Sequence, residues 1–140
     1  MSVDRIEEHA HQGVEEMERE HALEIRMVRE LQAALTASDR VAALALFERL
    51  EDFSNAHFLA EQLLMRLHAY PAFALHQEEH DRLIAELRDL RRSLDAIDGA
   101  DPAAPVAAVA RLERWLYAHM QSEDLALADF LKLPPAPEPG

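Results

Sequence analysis

Apolar residues recur along this chain at steps of three and four. Val14, Met17, His21, Ile25, Val28, Leu31 and Leu35 form one such series, with His21 its polar member. Steps of this kind keep residues on one face of an α-helix. Thr36-Ala37-Ser38-Asp39 breaks the series. Ser38 or Asp39 suits the N-cap of a second helix, because a short side-chain oxygen accepts from the free N–H groups of the first turn. That helix is expected from about Arg40 to Ala69, with Leu46, Leu50, Phe53, His57, Glu61, Leu64 and Met65 on one side. Tyr70-Pro71 ends it, since proline disfavours helix in the residue before it. A third helix starts near Pro71 or Ala72. It carries Leu75, His76, His80, Leu83, Ile84, Leu87, Leu90, Leu94 and Ile97, and stops at Asp98-Gly99-Ala100-Asp101-Pro102. Pro105 suits the first turn of a fourth, which carries Val109, Leu112, Leu116, His119, Met120, Leu127 and Phe130.

Four helices with short connections predict an all-α fold, an antiparallel up-and-down four-helix bundle. The bundle is expected over residues 14–131. Residues 1–13 read as a flexible N-terminal arm, with His9 and His11 as surface residues. Residues 132–140 form a proline-rich tail, either a plain terminus or the start of a linker to another domain.

Composition narrows the picture. A chain of 140 residues supports one domain with one core. With 49% hydrophobic residues, three Gly and abundant Ala, Leu, Glu and Arg, it favours helix over sheet. The net charge of −13 repels nucleic acid and anionic membrane surfaces. There is no Cys, which excludes disulfides, thiolate zinc sites and iron–sulfur clusters. No leader-like or bilayer-length apolar run is present, so a cytoplasmic protein is expected.

The chemistry lies in the polar members of the stripes. His57 and Glu61 are four apart, as are His76 and His80, and residues four apart share a helix face. Two such helices side by side aim three imidazoles and a carboxylate at one point, which is a metal site within a bundle. Glu61 at a core position is costly unless paired or metal-bound. On the fourth helix, His119 and Asp124 are five apart. Five residues is more than one helical turn, and a local widening of the helix could bring both inward, a distortion common at functional sites. His21 completes a pattern of one inward His or acid on every helix. Other metal and non-metal readings fit less well. His76-Gln77-Glu78-Glu79-His80 has Gln where a zinc protease needs its general base. Only Glu18 and His21 match the Glu-x-x-His pair that ferritin-like di-iron proteins use twice. A purely structural bundle would leave Glu61 and Asp124 buried without compensation.

His57-Phe58-x-x-Glu61 with Met65, Tyr70-Pro71, His76-x3-His80, and Trp115-Leu116-x-x-His119-Met120-x3-Asp124 together resemble the hemerythrins, and more closely the bacterial single-domain ones. Met17-x3-His21 fits the helix-one pattern of that family more loosely, and the likeness runs from about Val14 to Phe130. The resemblance implies two iron ions joined by an oxo or hydroxo bridge. One iron would take His76, His80 and His119, and the other His21 and His57, with Glu61 and Asp124 spanning both. It implies an oxygen-binding protein for carriage, storage or sensing, with dioxygen or peroxide as its small-molecule ligand at the two-histidine iron. Trp115, Leu116 and Met120 would wall the oxygen pocket, or serve as ordinary core.

The sequence departs from that family at Glu24, three residues after His21, where hemerythrins commonly carry an apolar pocket residue. Glu24 either turns to solvent or to Arg66 or Arg26, or it ligates or hydrogen-bonds at the open position. The second case points to the alternative function, a di-iron enzyme of peroxidase- or oxidase-like activity with Glu24 as a catalytic group.

Overall fold

The structure, a computed structural model, describes the backbone of residues 3–95 and 103–133 and side chains from residue 12 onward. Helix α1 spans Val3–Thr36, α2 Arg40–Leu67, α3 Phe73–Asp95 and α4 Ala103–His119. A π-helical turn, Met120–Asp124, carries α4 directly into α5, Leu125–Lys132. No strand occurs among the described residues. Each helix packs on its neighbours in a ring: α1 on α2, α2 on α3, α3 on α4, and α4 back on α1. The fold is therefore the expected all-α bundle. The expected stop at residues 98–102, Ile97 of the third stripe and the proline-rich tail from residue 134 lie outside the described residues.

Several element ends differ from the expectation. The backbone of α1 is helical from Val3, so the segment read as an arm lies within the helix. Residues 3–12 contain no Pro or Gly to stop it. Helix α2 ends at Leu67 rather than near Ala69. There the N–H of Tyr70 donates to Met65 O (2.9 Å) and that of Ala69 to Arg66 O (3.3 Å), with Ala69 at φ 49°. This is a Schellman turn, which satisfies the last carbonyls of a helix and normally uses Gly at the left-handed position. Helix α1 closes the same way through Ser38 at φ 57°, with Asp39 N donating to Ala34 O (2.9 Å). Asp39 then caps α2, its carboxylate accepting from Ala42 N at 3.1 Å. Both turns are short and reverse the chain, which makes successive helices antiparallel neighbours.

Two apolar clusters fill the bundle. The larger contains Val28, Leu31, Phe47, Leu50, Phe58, Leu87, Val109 and Leu116, and the smaller Val14, Met17, Met65, Leu127 and Leu131. In sequence, α1 passes from the smaller to the larger cluster across His21 and Glu24. Helix α2 makes the reverse passage across Glu61, and the α4–α5 rod makes it across His119 and Asp124. A layer of buried polar side chains thus lies between two dry ones. Some stripe positions are shifted by one residue. Phe47, fully buried, takes the place expected for Leu46, and Leu75 is exposed while His76 beside it is buried.

Candidate metal centre

The helix period of α2 puts His57 and Glu61 one turn apart, and that of α3 does the same for His76 and His80. The α4–α5 rod needs a further device. Five residues of α-helix rotate by about 500°, which would leave His119 and Asp124 roughly 140° apart. The π turn at 120–124 takes up the extra residue and turns Asp124 inward with His119. At this turn the Ser122 hydroxyl donates to the carbonyl of Ala118 at 2.6 Å.

Seven side chains meet in this layer. His57, Glu61, His76, His80, His119 and Asp124 are buried, and His21 retains 17% side-chain exposure. Each carboxylate divides its two oxygens between two sets of histidines. Glu61 Oε1 lies 3.1 Å from His76 Nε2 and 3.0 Å from His80 Nε2. Its Oε2 lies 2.9 Å from His57 Nε2 and 3.6 Å from His21 Nε2. Asp124 Oδ1 lies 3.0 Å from His76 Nε2 and 3.1 Å from His119 Nε2, while its Oδ2 lies 3.0 Å from His21 Nε2. The result is two overlapping donor groups. One is Glu61, His76, His80, His119 and Asp124, and the other is His21, His57, Glu61 and Asp124, each with its ligand atoms within 4.8 Å of one another.

This donor set fits cations better than it fits itself. Five ring nitrogens converge on two carboxylates, and His21 Nε2, His80 Nε2, His119 Nε2, Glu61 Oε2 and Asp124 Oδ1 are buried without a hydrogen-bond partner. Buried polar atoms are normally satisfied, so such a cluster calls for a ligand. Without one, the groups perturb each other strongly. Burial lowers the pKa of His21, yet Asp124 and Glu61 outweigh it and raise the value to about 9. His57 is raised to about 10 and His76 to about 9 against the same opposing burial, by Glu61 and by Asp124 with Glu61 respectively. Burial lowers that of His80. Glu61 and Asp124, despite burial, are held below the usual carboxylate range by the histidines around them.

Apolar rings back the imidazoles. Phe58 stacks on His80 at 4.0 Å and 17°, and Trp115 on His119 at 4.8 Å and 10°. Leu116 is buried in the adjacent cluster, where half-buried Met120 and Trp115 pack against it.

Glu24 neither turns to solvent nor meets an arginine, which removes the first of the two readings above. It is 1% exposed, and both carboxylate oxygens are buried without a partner. Arg66 lies over the Phe73 ring instead, at 5.3 Å. Burial pushes the Glu24 carboxyl up to about 7. Phe58, named above within the His57–Glu61 motif, acts through its stacking on His80. Two further contributors carry little sequence signal. Glu20 lies with its Oε2 2.5 Å from His57 Nδ1, and Glu123 Oε2 is 3.5 Å from His119 Nδ1. Their only sequence signal is an acid beside, or one turn after, a stripe histidine.

Comparison with known proteins agrees with this geometry. The family model described as the hemerythrin HHE cation binding domain matches residues 12–131. The chain is 29% identical over 120 residues to a "Bacteriohemerythrin" of Stenotrophomonas maltophilia (strain R551-3), covering 86% of this chain and 76% of the relative. It is 23% identical, with the same coverage, to proteins of that name from Pseudomonas aeruginosa (strain LESB58) and Pseudomonas paraeruginosa (strain DSM 24068 / PA7). No solved structure matches it significantly.

Proposed function

Because the chain belongs to the hemerythrin family of cation-binding domains, we propose that it is a non-haem di-iron protein that binds dioxygen for carriage, storage or sensing. His76, His80 and His119 would hold one iron, His21 and His57 the other, and Glu61 and Asp124 would contribute to both. The observation that carries this reading is the division of each carboxylate's oxygens between the two histidine sets, since a single ion would leave one set without a role. Imidazole and carboxylate without thiolate suit iron. An iron pair supplies reversible two-electron exchange with dioxygen or peroxide.

The chain's own residues do the rest. Phe58 and Trp115 cover the outer faces of His80 and His119, and with Leu116 they keep water from the three-histidine half. The two-histidine half is the more open, through His21. Small ligands enter there. The test is optical. Ferrous-loaded protein should develop a visible charge-transfer band in air and lose it when oxygen is removed. Absence of any band at full iron loading counts against the proposal.

One observation favours a second reading. Glu24 is buried beside His21, with no partner and a carboxyl pushed up to about 7. A group that holds a proton near neutrality is suited to deliver it to a reduced oxygen species. That would make the protein a peroxidase- or oxidase-like enzyme. Rapid bleaching to the diferric form, with turnover of peroxide and an added reductant that Glu24→Leu abolishes, identifies this case.

A further inference from the structure

The histidines differ in what stands behind them. The outward Nδ1 atoms of His76 and His80 have no hydrogen-bond partner, and that of His119 is 3.5 Å from Glu123. His57 alone among these four has a short contact there, Nδ1 to Glu20 Oε2 at 2.5 Å. The His57 side chain is 2% exposed and that of Glu20 21%, so the pair sits at the inner edge of the α1–α2 seam. Successive helix positions are about 100° apart, so Glu20 and His21 cannot reach the same point. Helix α1 therefore sends His21 into the cavity, and with the preceding residue it grips His57 of α2 from behind.

A carboxylate on Nδ1 fixes the proton there, leaves the Nε2 lone pair to the cavity and strengthens the ring as a donor. The half of the centre that receives this support is the poorer one, with two imidazoles against three. Its other imidazole, His21, is the most open ligand. We propose that Glu20 is a positioning residue that keeps a metal ion on the His21–His57 half, so that its loss uncouples the loading of the two halves. This rests on the two-metal reading above.

Cobalt(II) titration of the full metal-free chain, followed by visible absorption and chelator competition, tests it. The parent should take up two ions. Glu20→Gln preserves shape and an oxygen that accepts from Nδ1–H but removes the charge. It should leave the tighter step unchanged and weaken the other about ten- to a hundredfold. Glu20→Leu removes charge and acceptor together and should weaken that step further. A merely structural Glu20 would shift both steps or neither. In the zinc-loaded parent, the His57 Nδ1 proton should resonate far downfield and move upfield in Glu20→Gln. Equal weaker-step affinities in the parent and Glu20→Gln overturn the role of Glu20 alone. A parent that takes up fewer than two ions overturns the two-metal reading and this inference with it. If Glu20→Leu lacks helical structure, Glu20→Gln decides.

Discussion

Glu24→Gln in the metal-free protein isolates the cost of burying an unpartnered acid. Burial raises the Glu24 carboxyl from 4.5 to about 7, against the opposing pull of His57 and His21. At about 1.4 kcal/mol per pH unit, that corresponds to roughly 3 kcal/mol. The sign follows from where the proton sits. The folded-state value lies above the unfolded one, so between about pH 4.5 and 7 the folded chain keeps a proton that the unfolded chain releases. Glu24 therefore lowers stability progressively as pH rises through that window, and its effect is constant above it. The variant has no such proton. Other titrating groups are common to both proteins and largely cancel in the difference. Urea unfolding of the pair at a series of pH values should show the variant gaining about 3 kcal/mol on the parent across the window. In melting temperature this amounts to about 10 °C for a chain of this size. A parent–variant difference that does not change with pH would refute the reasoning, because it would mean the carboxylate is solvated when ionised.

Three other outcomes are expected. Ala69→Gly should stabilise the protein by about 1 kcal/mol in urea unfolding, because Ala69 holds φ 49°, a conformation costly for any residue with a Cβ. Phe47→Ala should cost about 3–5 kcal/mol by the same measurement, since the ring is fully buried in the larger cluster and its cavity cannot fill. The raised values of His21, His57 and His76 mean that these imidazoles stay protonated near neutrality, and that the stability their ion pairs contribute is full below about pH 6.5 and is lost as pH climbs through about 9 to 10. Metal uptake near neutrality should accordingly release about three protons, and fewer at high pH. Calorimetry in buffers of different ionisation enthalpy reads this number directly.

The period of the sequence was enough to bring most of the buried polar cluster together, because an inward polar side chain on a helix obeys the same geometry as a core leucine. His57, Glu61, His76 and His80 fall at four-residue steps, and the five-residue step from His119 to Asp124 is accommodated by the π turn at 120–124. What periodicity could not supply was the environment across a seam. Glu20 is one position off the inward stripe of α1, and only the packing of α1 on α2 brings it to His57. Glu24 shares a face with His21, but whether it would bend outward was a question of side-chain rotamer, invisible in spacing. Phe47 displaced Leu46 for a related reason. Where two adjacent residues are both apolar, a stripe is defined only to within one position, and the packed neighbours choose. The apolar stripe of α1 begins at Val14 while the backbone is helical from Val3, so periodicity does not mark where this helix starts.

The central claim concerns two cations and seven side chains, and anomalous diffraction from crystals of the metal-loaded protein addresses it most directly. Two anomalous peaks are predicted between α1, α2, α3 and the α4–α5 rod, with Glu61 and Asp124 each touching both peaks. His76, His80 and His119 should surround one peak, and His21 and His57 the other. A single peak, or a peak pair that leaves His21 and His57 without metal, would contradict the account.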